Sequence, residues 1–355
     1  MQKIRGRGYS NNPSGRFAQT FTELDEGSIQ QYGSAHESKI VLTELSQPKA
    51  KSILSSNHSP DIPFERSLNL YRGCEHGCVY CFARPTHSYL DLSPGLDFEQ
   101  KLFFKSNAPK LLRKEFTKSN YQVKTISLGN ITDTYQPIEK QLGLTREILN
   151  LMVEFKHPVS LVTKASLIER DIDLLEELAE QNLVHVAITI TTLDKRLVQL
   201  LEPRATTAAR RLITIKRLAE VGIPVSVLVA PIIPVLTDSE IENILSASQE
   251  AGCLGANFVM LRLPYEMKVL FVDWLREKFP LKAEHILNRL KEMHDGELYQ
   301  SNFGKRMRGS GEYAKMIEER FRIACKKFGI SNEIHALDES KFSRQCAHTK
   351  QIEMF

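Results

Sequence analysis

Short apolar runs recur through the middle of the chain, at 67–71, 125–128, 159–163, 184–190, 225–230 and 258–261. They are rich in Val and Ile and apolar along nearly their whole length. That pattern belongs to strands covered on both faces, as in a parallel sheet sheathed by helices. Between them, segments 144–155, 171–181 and 208–221 carry apolar residues three and four apart. In the last of these Leu212, Ile215, Leu218 and Ala219 share one face, and Gly222 then Pro224 end the helix. Thr237, Asp238, Ser239 and Glu240 have the form of a capping box for a helix carrying Ile241, Ile244 and Leu245. Six such βα units predict an α/β fold, an open or partial (β/α)6 TIM-like barrel, with a doubly wound sheet as the alternative. In either architecture the functional site lies at the carboxyl ends of the strands.

Three regions follow. Residues 1–60 read as an irregular, basic N-terminal extension in which only 41–45 suggests a strand; 61–280 form the core; 281–355 form a helical, basic C-terminal extension with helices at 282–295 and 312–328. The chain has 355 residues, 42% of them hydrophobic and 25% charged, enough for a sizeable core. No apolar run reaches the roughly eighteen residues of a membrane span. The N-terminal MQKIRGRGYSNNPSGRF is polar and lacks the apolar centre of an export signal, so a cytoplasmic location is expected.

In that compartment clustered thiols are metal-binding or catalytic rather than disulfide-bonded. The stretch YRGCEHGCVYCFARP places Cys74, Cys78 and Cys81 in a C-x3-C-x2-C pattern directly after the first strand. Three readings compete. Structural zinc wants four ligands, usually in paired C-x2-C elements, with His76 or His87 as candidates for the fourth. Plain buried thiols sit poorly in a glycine-rich, charged loop. A 4Fe–4S cluster on three thiolates leaves one iron open to an outside ligand, as a catalytic zinc site does. Gly73 and Gly77 allow the backbone to wrap closely around such a core. Cys253, Cys325 and Cys346 are scattered and read as small buried apolar groups.

The net charge is +4 and unevenly placed. Residues 1–22 hold Lys3, Arg5, Arg7 and Arg16 with no acid, and 305–327 hold eight Lys or Arg against three Glu. Basic termini of this kind make nucleic acid a candidate partner, against the commoner reading of a solvated surface.

The C-x3-C-x-Φ-C pattern, with Tyr80 before the last cysteine, resembles the signature of the radical S-adenosylmethionine (SAM) superfamily. The string NLYRGCEHGCVYCFARPTH, with SLGNITDTYQPIEKQLGLTREIL, LVTKASLIERDIDLL, TITTLD, EPRATTAARRL and IPVSVLVAPIIPVLTD, resembles its spore-photoproduct-lyase-like branch, over about residues 60–265. The resemblance implies a 4Fe–4S cluster on Cys74, Cys78 and Cys81 and SAM on the open iron. One-electron cleavage of SAM then yields a 5′-deoxyadenosyl radical that abstracts hydrogen from a substrate. It further implies a flavodoxin- or ferredoxin-like reductant. By position it assigns Tyr80 to the adenine, Asn130 and Asp133 to the methionyl ammonium, Lys164 to the methionyl carboxylate, and Thr189 and Thr191 to the ribose hydroxyls. Glu202 and Arg204 are cofactor contacts or a structural ion pair. Spore photoproduct lyase carries a hydrogen-donating cysteine after the second strand, and residues 125–140 contain none. Tyr135 or Cys346 are the candidates for that role. The competing functions are a non-catalytic iron–sulfur electron-transfer or redox-sensing protein, and a zinc-stabilised nucleic-acid-binding module.

Overall fold

The computed structural model describes residues 6–18, 42–333 and 336–344. Among them lie ten strands: β1 Glu44–Ser46, β2 Leu54–Ser56, β3 Arg66–Leu68, β4 Tyr71–Arg72, β5 Lys101–Phe104, β6 Ile126–Leu128, β7 Val159–Thr163, β8 Val184–Thr189, β9 Val225–Ile232 and β10 Gly255–Met260. Seven form the main sheet in the order β10-β9-β8-β7-β6-β3-β2, and β1-β5-β4 form a separate small sheet. All pairs from β3 to β10 are parallel and follow chain order; β2 is an antiparallel edge on β3. Six parallel strands with helical crossovers, not hydrogen-bonded end to end, make a partial (β/α)6 barrel, as expected.

Burial explains the sequence signal. Val159, Leu161, Val184, Val186, Val225 and Val227 are fully buried, packed beneath Ile148, Leu149, Leu175, Leu178, Ile215 and Leu218 of the covering helices Leu144–Glu154, Ile172–Ala179 and Ala208–Glu220. Gly222, at φ +79°, turns the last helix back toward β9.

Two local expectations change. The first strand stops at Leu68 rather than reaching Tyr71. Tyr71 instead pairs with Phe104 of β5, and its buried hydroxyl donates to Glu139. The capping box does not form. The Thr237 hydroxyl accepts from the Ile233 amide (2.8 Å), while the Glu240 carboxylate takes the Leu193 amide (2.8 Å) and the Thr192 hydroxyl. Thr237 is taken by the amide four residues before it and Glu240 by the neighbouring βα loop, and helix Ile241–Glu250 begins after a 3₁₀ turn.

The C-terminal region covers the free edge of β10. The Met260 amide bonds Met307 O (2.9 Å) and the Ala256 amide bonds Ser331 O (2.7 Å). Helix Gly311–Phe328 places Phe321 against Phe258, with ring centroids 4.7 Å apart. Arg306 bonds Asp61 (2.6 Å) in the loop before β3, so this region bridges the two edges of the open sheet. Much of the basic patterning is absorbed this way. Arg16 pairs with Glu266, Lys305 with Asp295, Arg306 with Asp61, Lys315 with Glu312, Arg320 with Glu242 and Arg322 with Glu319. Lys3, Arg5 and Cys346 lie outside the described residues. Among the described residues, no helix is long and apolar enough to cross a membrane.

At the amino end of β7, His157 is buried and stacked on Phe116 (4.5 Å between centroids), with Tyr121, Phe155 and Phe342 around it. Its Nδ1 lies 2.9 Å from Pro158 O and its Nε2 2.8 Å from the Tyr121 hydroxyl. A neutral ring donating at Nδ1 and accepting at Nε2 satisfies both. Burial pushes its pKa down to about 3, with the Arg66 charge adding to the shift. The folded state therefore binds fewer protons than the unfolded chain below the ordinary value of 6.5. The stabilisation is complete above that pH and is lost as pH falls toward 3, by at most about 1.4 kcal/mol per pH unit. Urea midpoints across pH 7 to 4 should fall less steeply for His157→Gln than for the wild type; equal slopes would show that this ring does not govern acid lability.

Candidate functional site

The loop that follows β4 begins at Gly73, so the cysteines stand just beyond the carboxyl end of the first parallel strand. Cys74 and Cys78 are buried and Cys81 partly so; all are free thiols. Gly73 and Gly77 have φ of +81° and +67°. A Cβ on Gly73 would lie 2.6 Å from Leu102 Cδ2, and one on Gly77 2.7 Å from Glu99 Oε2. Only glycine admits that path. Burial raises the pKa of all three thiols, helped at Cys74 by the Asp133 charge and opposed at Cys81 by Arg84. Unligated they are neutral, and a bound cation is what would turn them into thiolates.

Three supports hold the loop. Arg84, fully buried, donates Nε to Cys78 O (2.9 Å) and Nη1 to Gly95 O (2.8 Å), and pairs with Glu99 at 2.6 Å. From the loop after β6, Gln136 accepts from the Glu75 amide (2.9 Å) and donates to Gly73 O (3.2 Å). The third support is the N-terminal extension. Residues 6–18 are irregular and cross the cysteine loop as a strap, whereas Leu54–Ser56, in the stretch read as irregular, is a strand of the main sheet. The Gly8 and Tyr9 amides donate to the Glu99 carboxylate (2.9 and 3.1 Å), and the Tyr9 hydroxyl donates to Val79 O (2.7 Å). A Cβ on Gly8 would fall 2.0 Å from Gly77 O. Arg16 then ends the strap on Glu266, beyond β10.

Beside the cysteines the chain gathers a polar group that the sequence only hinted at. Glu202 is fully buried and bonded by Arg211 and by the Tyr80 hydroxyl; Thr191 Oγ1 lies 2.7 Å away and Lys164 Nζ 3.5 Å away. Burial works against the Glu202 charge, yet Arg211 and Lys164 hold its pKa well below the carboxylate range. Tyr80, buried and next to that carboxylate, stays protonated far above the usual phenol value. Lys164 Nζ also lies 5.7 Å from the Tyr80 ring. So Tyr80, Lys164 and Thr191 come together around Glu202.

The other candidates have other company. Thr191 Oγ1 also donates to Ala230 O (2.7 Å), which ties it to β9. Thr189, on the same strand end, is buried, and its carbonyl accepts from Arg211 (2.8 Å). Asp133 accepts from the Thr163 hydroxyl, the Lys164 amide (both 2.7 Å) and the Tyr135 amide (2.9 Å), joining the ends of β6 and β7. Its Oδ2 stands 3.4 Å from His76 Nδ1 without hydrogen-bond alignment, and burial keeps that imidazole neutral. Asn130 accepts from Ser127 (3.1 Å), but its buried Nδ2 has no protein partner. Arg204 pairs with Glu75 at 3.1 Å rather than with Glu202. Tyr135 is buried and bonds Asp171 (3.1 Å).

The sequence model of the radical SAM superfamily matches residues 68–247. This chain belongs to the radical SAM superfamily. An uncharacterised protein of Mycobacterium tuberculosis is 35% identical over 274 residues, 77% of each chain. An uncharacterised protein of Methanocaldococcus jannaschii is 28% identical over 247 residues, 69% of this chain and 88% of that one. Among solved structures, a spore photoproduct lyase variant with bound AdoMet and dinucleoside spore photoproduct superposes with a TM-score of 0.59 at 14% identity, covering 83% of this chain and 82% of that one. At that identity the likeness is one of fold. The radical SAM family uses a 4Fe–4S cluster and SAM and requires a reductant.

Breaking the buried pair should be costly. Glu202→Gln leaves Arg211 charged and 1% exposed, and should lower unfolding free energy by about 3 kcal/mol or more. Adding Arg211→Met should recover part of that loss in urea titrations. A single variant as stable as the wild type would show that the pair does not support the site.

Proposed function

We propose that this protein is a radical SAM enzyme in which Cys74, Cys78 and Cys81 hold a 4Fe–4S cluster and the surface beside it binds SAM for hydrogen abstraction from a substrate. The observation that carries this reading is the loop itself: three free thiols on a glycine-shaped turn past the first strand of a parallel barrel. The donor set fits an iron–sulfur group, since soft thiolates select it and the glycine-shaped backbone leaves room for a bulky inorganic core.

The bound cluster would supply one electron to cleave the sulfonium C–S bond of SAM. The chain's own residues do the rest. Tyr80 flanks the adenine, its ring fixed by the hydroxyl bond to Glu202. Lys164 supplies a point charge for the methionyl carboxylate, and Glu202, 3.5 Å away, orients its side chain. Asn130, with its orphaned buried donor, is free to meet a ligand acceptor at the end of β6. Asp133 acts through position, holding the Lys164 backbone in place. Thr191 and Arg204, whose side chains are bonded to protein, and Thr189, held through its carbonyl, serve as the wall of the site. The barrel walls exclude water from a reactive carbon radical. The reductant is a flavodoxin- or ferredoxin-like protein.

Anaerobically reconstituted, reduced protein incubated with SAM should release 5′-deoxyadenosine, seen by chromatography. Cys74→Ala, Cys78→Ala or Cys81→Ala should abolish it together with the iron, whereas Lys164→Ala should keep the iron and weaken SAM binding about tenfold, the loss of one charge-assisted contact. An iron-loaded wild type that binds SAM without releasing the nucleoside would favour an electron-transfer or sensing role.

A further inference from the structure

The small sheet β1-β5-β4 turns one face inward and one outward. Pairing of Ser46 with Phe103 and of Phe103 with Arg72 puts these three residues on one face, with Lys101 and Lys105 two positions either side of Phe103. Leu102, on the opposite face, is fully buried. On the outward face Arg72 is exposed and Phe103 is half-buried. Lys105 is half-buried with no acid paired to it among the described residues, and burial together with the Arg72 charge lowers its pKa. Lys49 and Lys51 flank the face, because Gln47 bonds Ser106 and Ala50 bonds Asn107 across it. No ion pair engages Arg72, Lys105, Lys49 or Lys51 among the described residues; Lys101 is balanced by Asp97 (3.1 Å), and the one acid on this face among the described strand residues, the exposed Glu44, stands opposite Lys101 at its edge. Like charges gathered around a half-exposed aromatic ring, one of them partly desolvated, cost energy that an acidic partner would recover.

This face is also wired to the cysteines. The Phe103 ring meets His87 edge-on (6.1 Å), and His87 meets Phe98 (5.0 Å). Phe98 packs in one buried cluster with Cys74, Ala83 and Cys81. Arg72 is two residues from Cys74 along the chain. Electron tunnelling weakens steeply with every gap between packed atoms, so an unbroken run of ring contacts favours transfer along it.

We propose that the outward face of this sheet docks an acidic flavodoxin- or ferredoxin-like electron carrier, and that Phe103, His87 and Phe98 form the contact path from it to the cluster. This rests on the cluster assignment above. The step is a single electron transfer: the carrier's reduced cofactor loses one electron, the cluster gains one, and no bond is made or broken. The barrel mouth stays free for SAM and substrate.

The test is stopped-flow bleaching of the cluster's visible absorbance by photoreduced flavodoxin, at low and raised salt. Arg72→Glu with Lys105→Glu should slow that reaction at least about tenfold at low salt and flatten its salt dependence. Iron content and the rate of reduction by dithionite should not change. Phe103→Ala should slow the reaction with flavodoxin and leave its salt dependence in place. Should the first double variant fail to fold, Lys49→Glu with Lys51→Glu, both on exposed residues, should show the same salt effect in smaller measure. An intact cluster reduced by flavodoxin at the wild-type rate in all these variants overturns the docking site. So does an unchanged flavodoxin rate coupled with lost affinity for a single-stranded DNA oligonucleotide, which would make the face a nucleic-acid surface. Wild-type protein that never takes up iron overturns the cluster reading and the docking site with it.

Discussion

The Arg84–Glu99 ion pair is the constraint on which the site depends. Both side chains are fully buried, and such a pair is tolerated only when every remaining polar position is satisfied. Here each is. The guanidinium reaches the carbonyls of Cys78, Pro94 and Gly95, and the carboxylate takes the amides of Gly8 and Tyr9. One interaction therefore joins the cysteine loop, the turn after it and the N-terminal strap. Removing either partner would strand a buried charge and release all three segments together. The strap is thus part of the site, and Gly8 is confined to glycine because the Gly77 carbonyl occupies the space of its side chain.

An open sheet of six parallel strands presents a second constraint: two edges that must be covered. β2 covers one by antiparallel pairing with β3. At the other, Met307 and Ser331 satisfy amides of β10, and Arg306 continues across to Asp61. The basic character of the C-terminal region has a structural use here, since several of its cations fasten that region to the body of the protein.

What was legible in the sequence follows from what sequence patterns encode. The parallel strands were visible because their fully buried positions, alternating with half-buried ones, are filled by Val, Ile and Leu, and 159–163 coincides with β7. The cysteine loop was visible because ligand spacing is local. The Glu202 group was not. Its members come from the cysteine loop, the loops after β7 and β8 and two helical segments, and only the fold brings them together, so Glu202 meets Arg211 and Lys164 while the nearby Arg204 turns to Glu75. The capping box misled for a related reason: Thr237 and Glu240 have the right spacing, but Thr237 takes the amide of Ile233 and Glu240 is claimed by the neighbouring βα loop. The strap was hidden because Gly8 and Tyr9 carry no periodic signal, and their role depends on a carboxylate ninety residues away.

The central claim is a cluster held by three protein thiolates with one iron reserved for SAM. Mössbauer spectroscopy of anaerobically prepared, ⁵⁷Fe-loaded protein tests it most directly. Adding SAM should shift the signal of one iron and leave the others in place. A spectrum that SAM does not alter, or iron that behaves as isolated ions without bridging sulfide, would contradict the account.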